Sequence, residues 1–281
     1  MTPALDALRP DLDTIADGGT ISIWAGPVGG PAAYARDADV PHYAASTTKV
    51  AIMVALHRAA EAGQLKLDDE VLVRNEFRSV LPTGGTFAID LNDDSDGSVI
   101  ARTGARATLR WLCERMIVRS SNLATNLVLQ RIRESAGPDA VNEVWRSVGA
   151  THSRTDRYIE DAAARSAGFT NDVTAADLAA LFSAIAGGTA ARPAGCEAML
   201  RTLHAQELRD DLPAGLPPGT RVAAKNGWIT GVRHGAAVVM PAGEPPFVLV
   251  VCTTTGLDEA EGAKLVARVA EAAWRDRKAF T

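Results

Sequence analysis

Strand-like segments sit at the two ends of this chain, and a long helical stretch separates them. Near the start, ISIWAG (21–26) and AAYAR (32–36) read as two strands around a Gly/Pro turn. Strand character returns only in TRVAAKNG, GAAVVM and FVLVVCTTT, the last two joined by the turn-forming PAGEPP. The middle reads instead as helices, in TLRWLCERMIV (108–118), NLATNLVLQRIRE (122–134), PDAVNEVWRSVG (138–149) and TAADLAALFSAIAGG (174–188). Leu5, Leu8, Leu12 and Ile15 predict a helix over 4–17. At the other end Asp258 and Glu261 form a capping box ahead of the apolar face of Leu265, Val266, Val269 and Trp274. The simplest packing of that order is an α/β (α+β) fold. It has an antiparallel sheet flanked by N- and C-terminal helices, plus an all-helical second lobe. The expected division is 1–45 with 212–281 for the sheet part and 46–211 for the helical part.

Composition narrows the function. The 281 residues are 47% hydrophobic and 22% charged, with a net charge of -5 and no Lys/Arg block. Such a surface argues against a nucleic-acid partner. The N-terminal segment lacks the basic and apolar pattern of a signal peptide, and no run is long enough to span a bilayer. A cytoplasmic protein with no membrane partner is the expectation. Cys113, Cys196 and Cys252 and the five histidines show no metal-ligand spacing, so reduced thiols and no metal or organic cofactor are expected. Lysine occurs only at 49, 66, 225, 264 and 278, which gives weight to each lysine that falls in a motif.

Two of them do. In AASTTKVAIMVAL, Ser46 and Lys49 stand three residues apart, so on a helix they share a face. The bland reading is an N-cap. The sharper one is a serine nucleophile beside a lysine whose proton is loosened by burial in the apolar run that follows. Ser120-Ser121-Asn122 interrupts a core-facing helical pattern, as a capping break or as a polar site. Lys225-Asn226-Gly227 puts a lysine in a strand that is otherwise small and apolar, with a glycine that allows close backbone approach by a ligand. Its alternative is an ordinary edge-strand lysine.

Ser-x-x-Lys, then Ser-x-Asn, then Lys-x-Gly, in that order, resembles the serine β-lactamase and penicillin-binding-protein superfamily. LPAGLPPGTRVAAKNG and MIVRSSNLATN look like class A β-lactamase segments, and the likeness covers nearly the whole chain. The resemblance implies that Ser46 is acylated, with Lys49 as its proton acceptor. It makes Ser120 the proton relay to the leaving group, and Lys225 the cation that orients Ser120 and attracts a substrate carboxylate. The backbone N–H groups of Ser46 and Trp228 would form the oxyanion hole. Asn122 would hold the substrate amide, with Asn226 and Gly227 in the same binding wall. Arg233 stands where many relatives bind a carboxylate, and equally suits a pair with a local acid. His234 reads as structural.

Departures bear on turnover. Ser121 replaces the usual acid of the second motif, and Asn226 the usual Thr or Ser of the third. In TDRYIEDAAARSAGFTND (155–172), Asp156-Arg157 and Asp172 resemble the ends of the loop that holds the deacylating glutamate in class A enzymes. In that register the glutamate's place falls on Ile159, its asparagine partner's on Ala163, and Glu160 lies one residue later. Loss of that base is the favoured reading, with Glu160 as the substitute in a working β-lactamase as the alternative. A binding or sensor protein is the third. Places bridged by a disulfide in some secreted relatives hold Met53 and Cys113 here, which excludes that bridge. The acidic DLNDDSDGS partly matches a calcium loop but lacks its closing glutamate, and reads better as a solvated loop. The expected partner is a small acyl substrate, an ester, thioester or amide, carboxylate-bearing in one version.

Overall fold

In the computed structural model, which describes residues 1–280, the two ends of the chain meet. Five strands form one sheet in the order Arg221–Ile229, Val232–Met240, Phe247–Thr254, Thr20–Pro27 and Tyr34–Arg36. All neighbours are antiparallel, and the N-terminal strands join through Thr20–Pro27, where Ile23 faces Val251. Strands more than 190 residues apart in sequence therefore share one ladder.

Alternation along the central strands splits the apolar residues between two cores. Ala237, Val239, Leu249 and Val251 face a core closed by Leu5, Leu12, Val266, Val269 and Phe280 from the terminal helices. Ala236, Val238, Val248 and Val250 face the other, which runs without a break into Ile52, Leu112, Leu127 and Phe182 of the helical region. Each such Val, Leu, Ile or Phe contributes roughly 1.5–3 kcal/mol of burial. The helix Lys49–Glu61 is the centre of that second core, with nine of its thirteen residues buried.

The helix expected over 4–17 is two, Pro3–Ala7 and Arg9–Ile15, with Leu8 as the joint. Pro10 lies in the first turn of the second, where its missing N–H costs nothing, and it could not continue the first. The Asp258–Glu261 capping box is present on helix Glu259–Asp276. A helix not singled out beforehand, Pro193–His204, buries only Cys196, Met199 and Leu203, too sparse a stripe to announce itself. Among the described residues no helix is long and apolar enough to cross a membrane.

Candidate active site

The segment with three hydroxyls uses two of them for structure. Ala45–Thr48 forms a single 3₁₀ turn, and the α-helix starts at Lys49. The Thr47 hydroxyl donates to the Ala44 carbonyl (2.6 Å), and the Thr48 hydroxyl meets that of Thr155 (2.6 Å), both fully buried. Ser46 is different. Its hydroxyl bonds no described residue, and it lines a cleft of ≈ 870 Å³. Ala45, just before it, takes a left-handed φ of 45°, as do Ser120 (61°) and Glu160 (62°) on the same cleft. Non-glycine residues reach that region at a cost, and they collect where surrounding contacts hold a functional geometry.

Gly227 lies across from the turn that carries Ser46. A Cβ there would stand 2.7 Å from the Ser46 backbone nitrogen and 3.1 Å from that of Thr47. The glycine therefore admits the chain's own backbone at this point. This close approach brings Trp228, also on the cleft, beside the Ser46 backbone.

Behind Ser46 two lysines share one hydroxyl. Lys49 and Lys225 are both 0% exposed. The Lys49 ammonium donates to the Ser120 carbonyl (2.6 Å), the Ser120 hydroxyl (3.3 Å) and Asn122 Oδ1 (2.8 Å). Lys225 donates to the same hydroxyl (3.1 Å), and to Asn226 O (2.8 Å) and Oδ1 (3.3 Å). Burial lowers the Lys49 pKa to about 7, against a pull upward from Asp94. Burial also lowers that of Lys225 well below its usual value, and the Lys49 charge adds to the effect. Ser120 Oγ accepts from both amines, so its own proton is left for an occupant of the cleft. The amide N–H₂ of Asn122 is likewise unspent beside the cleft.

The acid missing from the second motif returns from elsewhere. Asp94 Oδ2 accepts from the Ser121 hydroxyl (3.0 Å) and from Leu123 N–H (2.7 Å), at the start of helix Asn122–Ala136. Ser121 itself caps that helix by accepting from Ala124 N–H (3.1 Å). The acidic loop is thus a structural brace. Its Asp96 accepts from Arg115 (2.5 Å), and among the described residues no three His, Cys, Asp or Glu could hold a metal ion.

Two expected binding residues are engaged by buried partners, Asn226 by Lys225 as well. The Arg233 guanidinium is buried and pairs with Asp211 (2.9 Å), Asp210 (2.8 Å) and Glu259 (3.5 Å), with its charge 5.3 Å from the Trp228 ring. Asn226 donates to Asp211 (3.0 Å) and accepts from Gln206 (3.0 Å). Neither lines the cleft. The local-acid alternative holds for Arg233, because Asp210 and Asp211 arrive from a loop whose course the sequence does not display. His234 is structural: its Nδ1 accepts from Thr253 N–H (3.1 Å), so Nε2 carries the proton that goes to the Tyr43 carbonyl (2.8 Å).

The loop after residue 155 presents Ile159. Asn126 clamps its backbone from both sides, accepting from Ile159 N–H (2.9 Å) and donating to Ile159 O (3.0 Å), and Ile159 lines the cleft. Glu160 also borders the cleft, but its carboxylate accepts from Asp90 N–H (2.8 Å) on the acidic loop. Burial raises its pKa, with Asp93, Asp90 and Asp94 adding to the shift and the Asp90 hydrogen bond opposing it. It makes no hydrogen bond to Ser46, Lys49 or Asn122. Sequence reasoning missed the clamp: Asn126 is four residues beyond the second motif, a spacing that becomes informative only once the loop lies against the helix.

Comparison with known proteins agrees on one family. The model of the Beta-lactamase enzyme family matches residues 7–276. A beta-lactamase of Streptomyces lavendulae is 32% identical over 156 residues, 53% of this chain and 49% of that protein. One from Streptomyces albus G is 33% identical over 170 residues, 59% of this chain and 53% of its own length. The aligned region thus spans about half the length of these curated relatives. The crystal structure of a beta-lactamase from Sphaerobacter thermophilus superimposes with a TM-score of 0.81 at 26% identity, covering 99% of this chain and 98% of that one.

Proposed function

This chain belongs to the beta-lactamase enzyme family, and on that premise we propose that it is a serine acyl-transfer enzyme that acylates at Ser46 and releases β-lactam products poorly. Ser46 Oγ attacks the carbonyl of an ester, thioester or amide and gives its proton to neutral Lys49. The oxyanion that forms lies against the N–H groups of Ser46 and Trp228. As the intermediate collapses, the bond to the leaving group breaks. The Ser120 hydroxyl donates its proton to that group, and the proton delivered to Lys49 replaces it. Lys225 holds the Ser120 oxygen in place from the other side. The product of this half is an ester on Ser46 with all charges accounted for. The observation that carries the reading is the Lys49–Ser120–Lys225 chain beside a serine with no structural bond of its own.

The second half needs an acceptor, water or another nucleophile, and a base to deprotonate it. Ile159 stands in the register where the class A resemblance puts that base, clamped by Asn126. Glu160 is tied to Asp90. Losing a general base slows such a step by about 10² to 10⁴, which favours a long-lived acyl-enzyme with water as acceptor. We treat residues 1–45 with 212–281 and residues 46–211 as the two halves of the enzyme. Support comes from a cleft lined by Ser120 and Asn122 from one and Trp228 and Thr230 from the other.

Intact-mass spectrometry tests this. A penicillin or a simple activated ester is expected to leave one adduct on the protein that is absent from Ser46→Ala and decays slowly. No adduct from any acyl donor would refute the enzyme. Rapid cephalosporin turnover abolished by Glu160→Gln would instead establish a working β-lactamase.

A further inference from the structure

Lys225 reaches past the hydroxyl it shares with Lys49 to a side chain that does not line the cleft. Besides Ser120 Oγ (3.1 Å), it donates to the Asn226 carbonyl (2.8 Å) and to Asn226 Oδ1 (3.3 Å). An amide presents an acceptor at one end and two donors at the other, in nearly the same shape. With its N–H₂ end toward Lys225, Asn226 would take away one of the amine's three acceptors and set a donor against it. Whatever orients this amide therefore helps to seat Lys225 beside Ser120.

Asn226 is 1% exposed, so protein groups set its orientation. Its N–H₂ end donates to Asp211 Oδ2 (3.0 Å) and reaches the Leu208 carbonyl (3.4 Å), two groups that only accept. Its oxygen end takes Gln206 Nε2 (3.0 Å) along with Lys225. Gln206 is itself an amide, and its Oε1 has no hydrogen-bond partner, so it follows Asn226 rather than fixing it. The Leu208 contact is long. Asp211 is the firm reference, because a carboxylate accepts at either oxygen and cannot be reversed.

That carboxylate is itself held by the sheet. Arg233, opposite Trp228 on the neighbouring strand, grips Asp211 Oδ2 through Nε (3.1 Å) and Nη2 (2.9 Å). The pairing offsets the cost of burying either charge alone. Burial and the charges of Lys49 and Arg233 lower the Lys225 pKa, and Asp211 is the acid that opposes them. The partners run in one line, from Arg233 to Asp211, Asn226, Lys225 and the Ser120 hydroxyl on the cleft.

We infer that Asp211 is a positioning residue for the proton relay: through Asn226 it fixes the acceptor that seats Lys225 against the Ser120 hydroxyl. The consequence for acyl transfer rests on the acyl-enzyme reading above, and the seating of Lys225 does not.

Two replacements of similar size separate positioning from loss of the ion pair. Asp211→Asn and Asp211→Leu both remove the charge beside Arg233. Among the described residues all three donors to Asp211 meet Oδ2, so an asparagine oxygen can serve them and leucine cannot. Adduct formation from an activated ester, read by intact mass, should slow about tenfold or more with Asp211→Leu and less than about threefold with Asp211→Asn. Exposed Asp210 also pairs with Arg233 but does not touch Asn226, and Asp210→Asn should stay within about twofold. Asn226→Ala leaves Asp211 and Arg233 paired and should slow the reaction as much as Asp211→Leu, with the double variant no slower. Equal losses with asparagine and leucine, or losses that multiply in the double variant, would overturn the role. So would a loss under about threefold with Asn226→Ala, whatever leucine does to folding. The Lys225 Nζ resonance tests the same line without any substrate, and should move further with Asp211→Leu than with Asp211→Asn; equal shifts would refute the seating. The larger shift with leucine, in a protein that no donor acylates, would uphold the seating and refute the reaction instead.

Discussion

The cleft sets a finished region beside an altered one. Around Ser46 the amines of Lys49 and Lys225 are each held by three acceptors, and the two converge on the Ser120 hydroxyl. Along the loop that follows residue 155, the clamp is intact but what it holds has changed. Asn126 grips the backbone of Ile159, an apolar residue, while the neighbouring carboxylate turns to Asp90. A backbone clamp is indifferent to the side chain it presents, so the loop could lose its base and keep its course. In the proposed mechanism, forming an acyl-enzyme and clearing it thus depend on separable parts.

The largest effects should come from the finished region. Lys49→Met or Ser120→Ala is expected to slow adduct formation by about 10² to 10⁴, read by intact mass against time; a loss under tenfold would break the assignment. Next, Ile159→Glu should raise adduct decay by about 10² or more, with adduct formation changed far less. An unaltered decay rate would mean that the loop is not where clearance is decided. Because burial lowers Lys49 to about 7, its basic, neutral form fades below that pH. Adduct formation should then fall about tenfold per unit below pH 7 and level off above it, and a profile flat from pH 5 to 8 contradicts lysine as base. Asp94→Ala removes the acceptor of Ser121 and Leu123 N–H. It should destabilise the protein by about 1–3 kcal/mol in urea titration. The smallest effect is the sharpest comparison: Glu160→Gln should leave adduct decay within about twofold, since its carboxylate touches Asp90 and not the nucleophile.

Much of the fold was legible because its evidence is local. Period-two and helical patterns, the Asp258 capping box and the turn residues act within a few positions of one another. The split of the first helix at Pro10 and the helix Pro193–His204 escaped for complementary reasons, one a backbone constraint inside a good apolar stripe, the other a stripe too thin to see. In the site, Ser46, Lys49, Ser120 and Lys225 were marked by lysine scarcity and motif order, and the structure brings the two lysines onto the Ser120 hydroxyl. Arg233, Asn226 and Gly227 were also marked, but their partners, Asp210, Asp211 and the Ser46 backbone, come from distant segments.

By itself, then, the sequence determined the kinds of element, their order and the residues proposed for acyl-transfer chemistry, because those rest on residue type and short spacing. Only the tertiary structure decided which charges are already spent. Arg157 and Arg233 carry the same side chain, and whether its free edge meets a carboxylate depends on which loops fold against it.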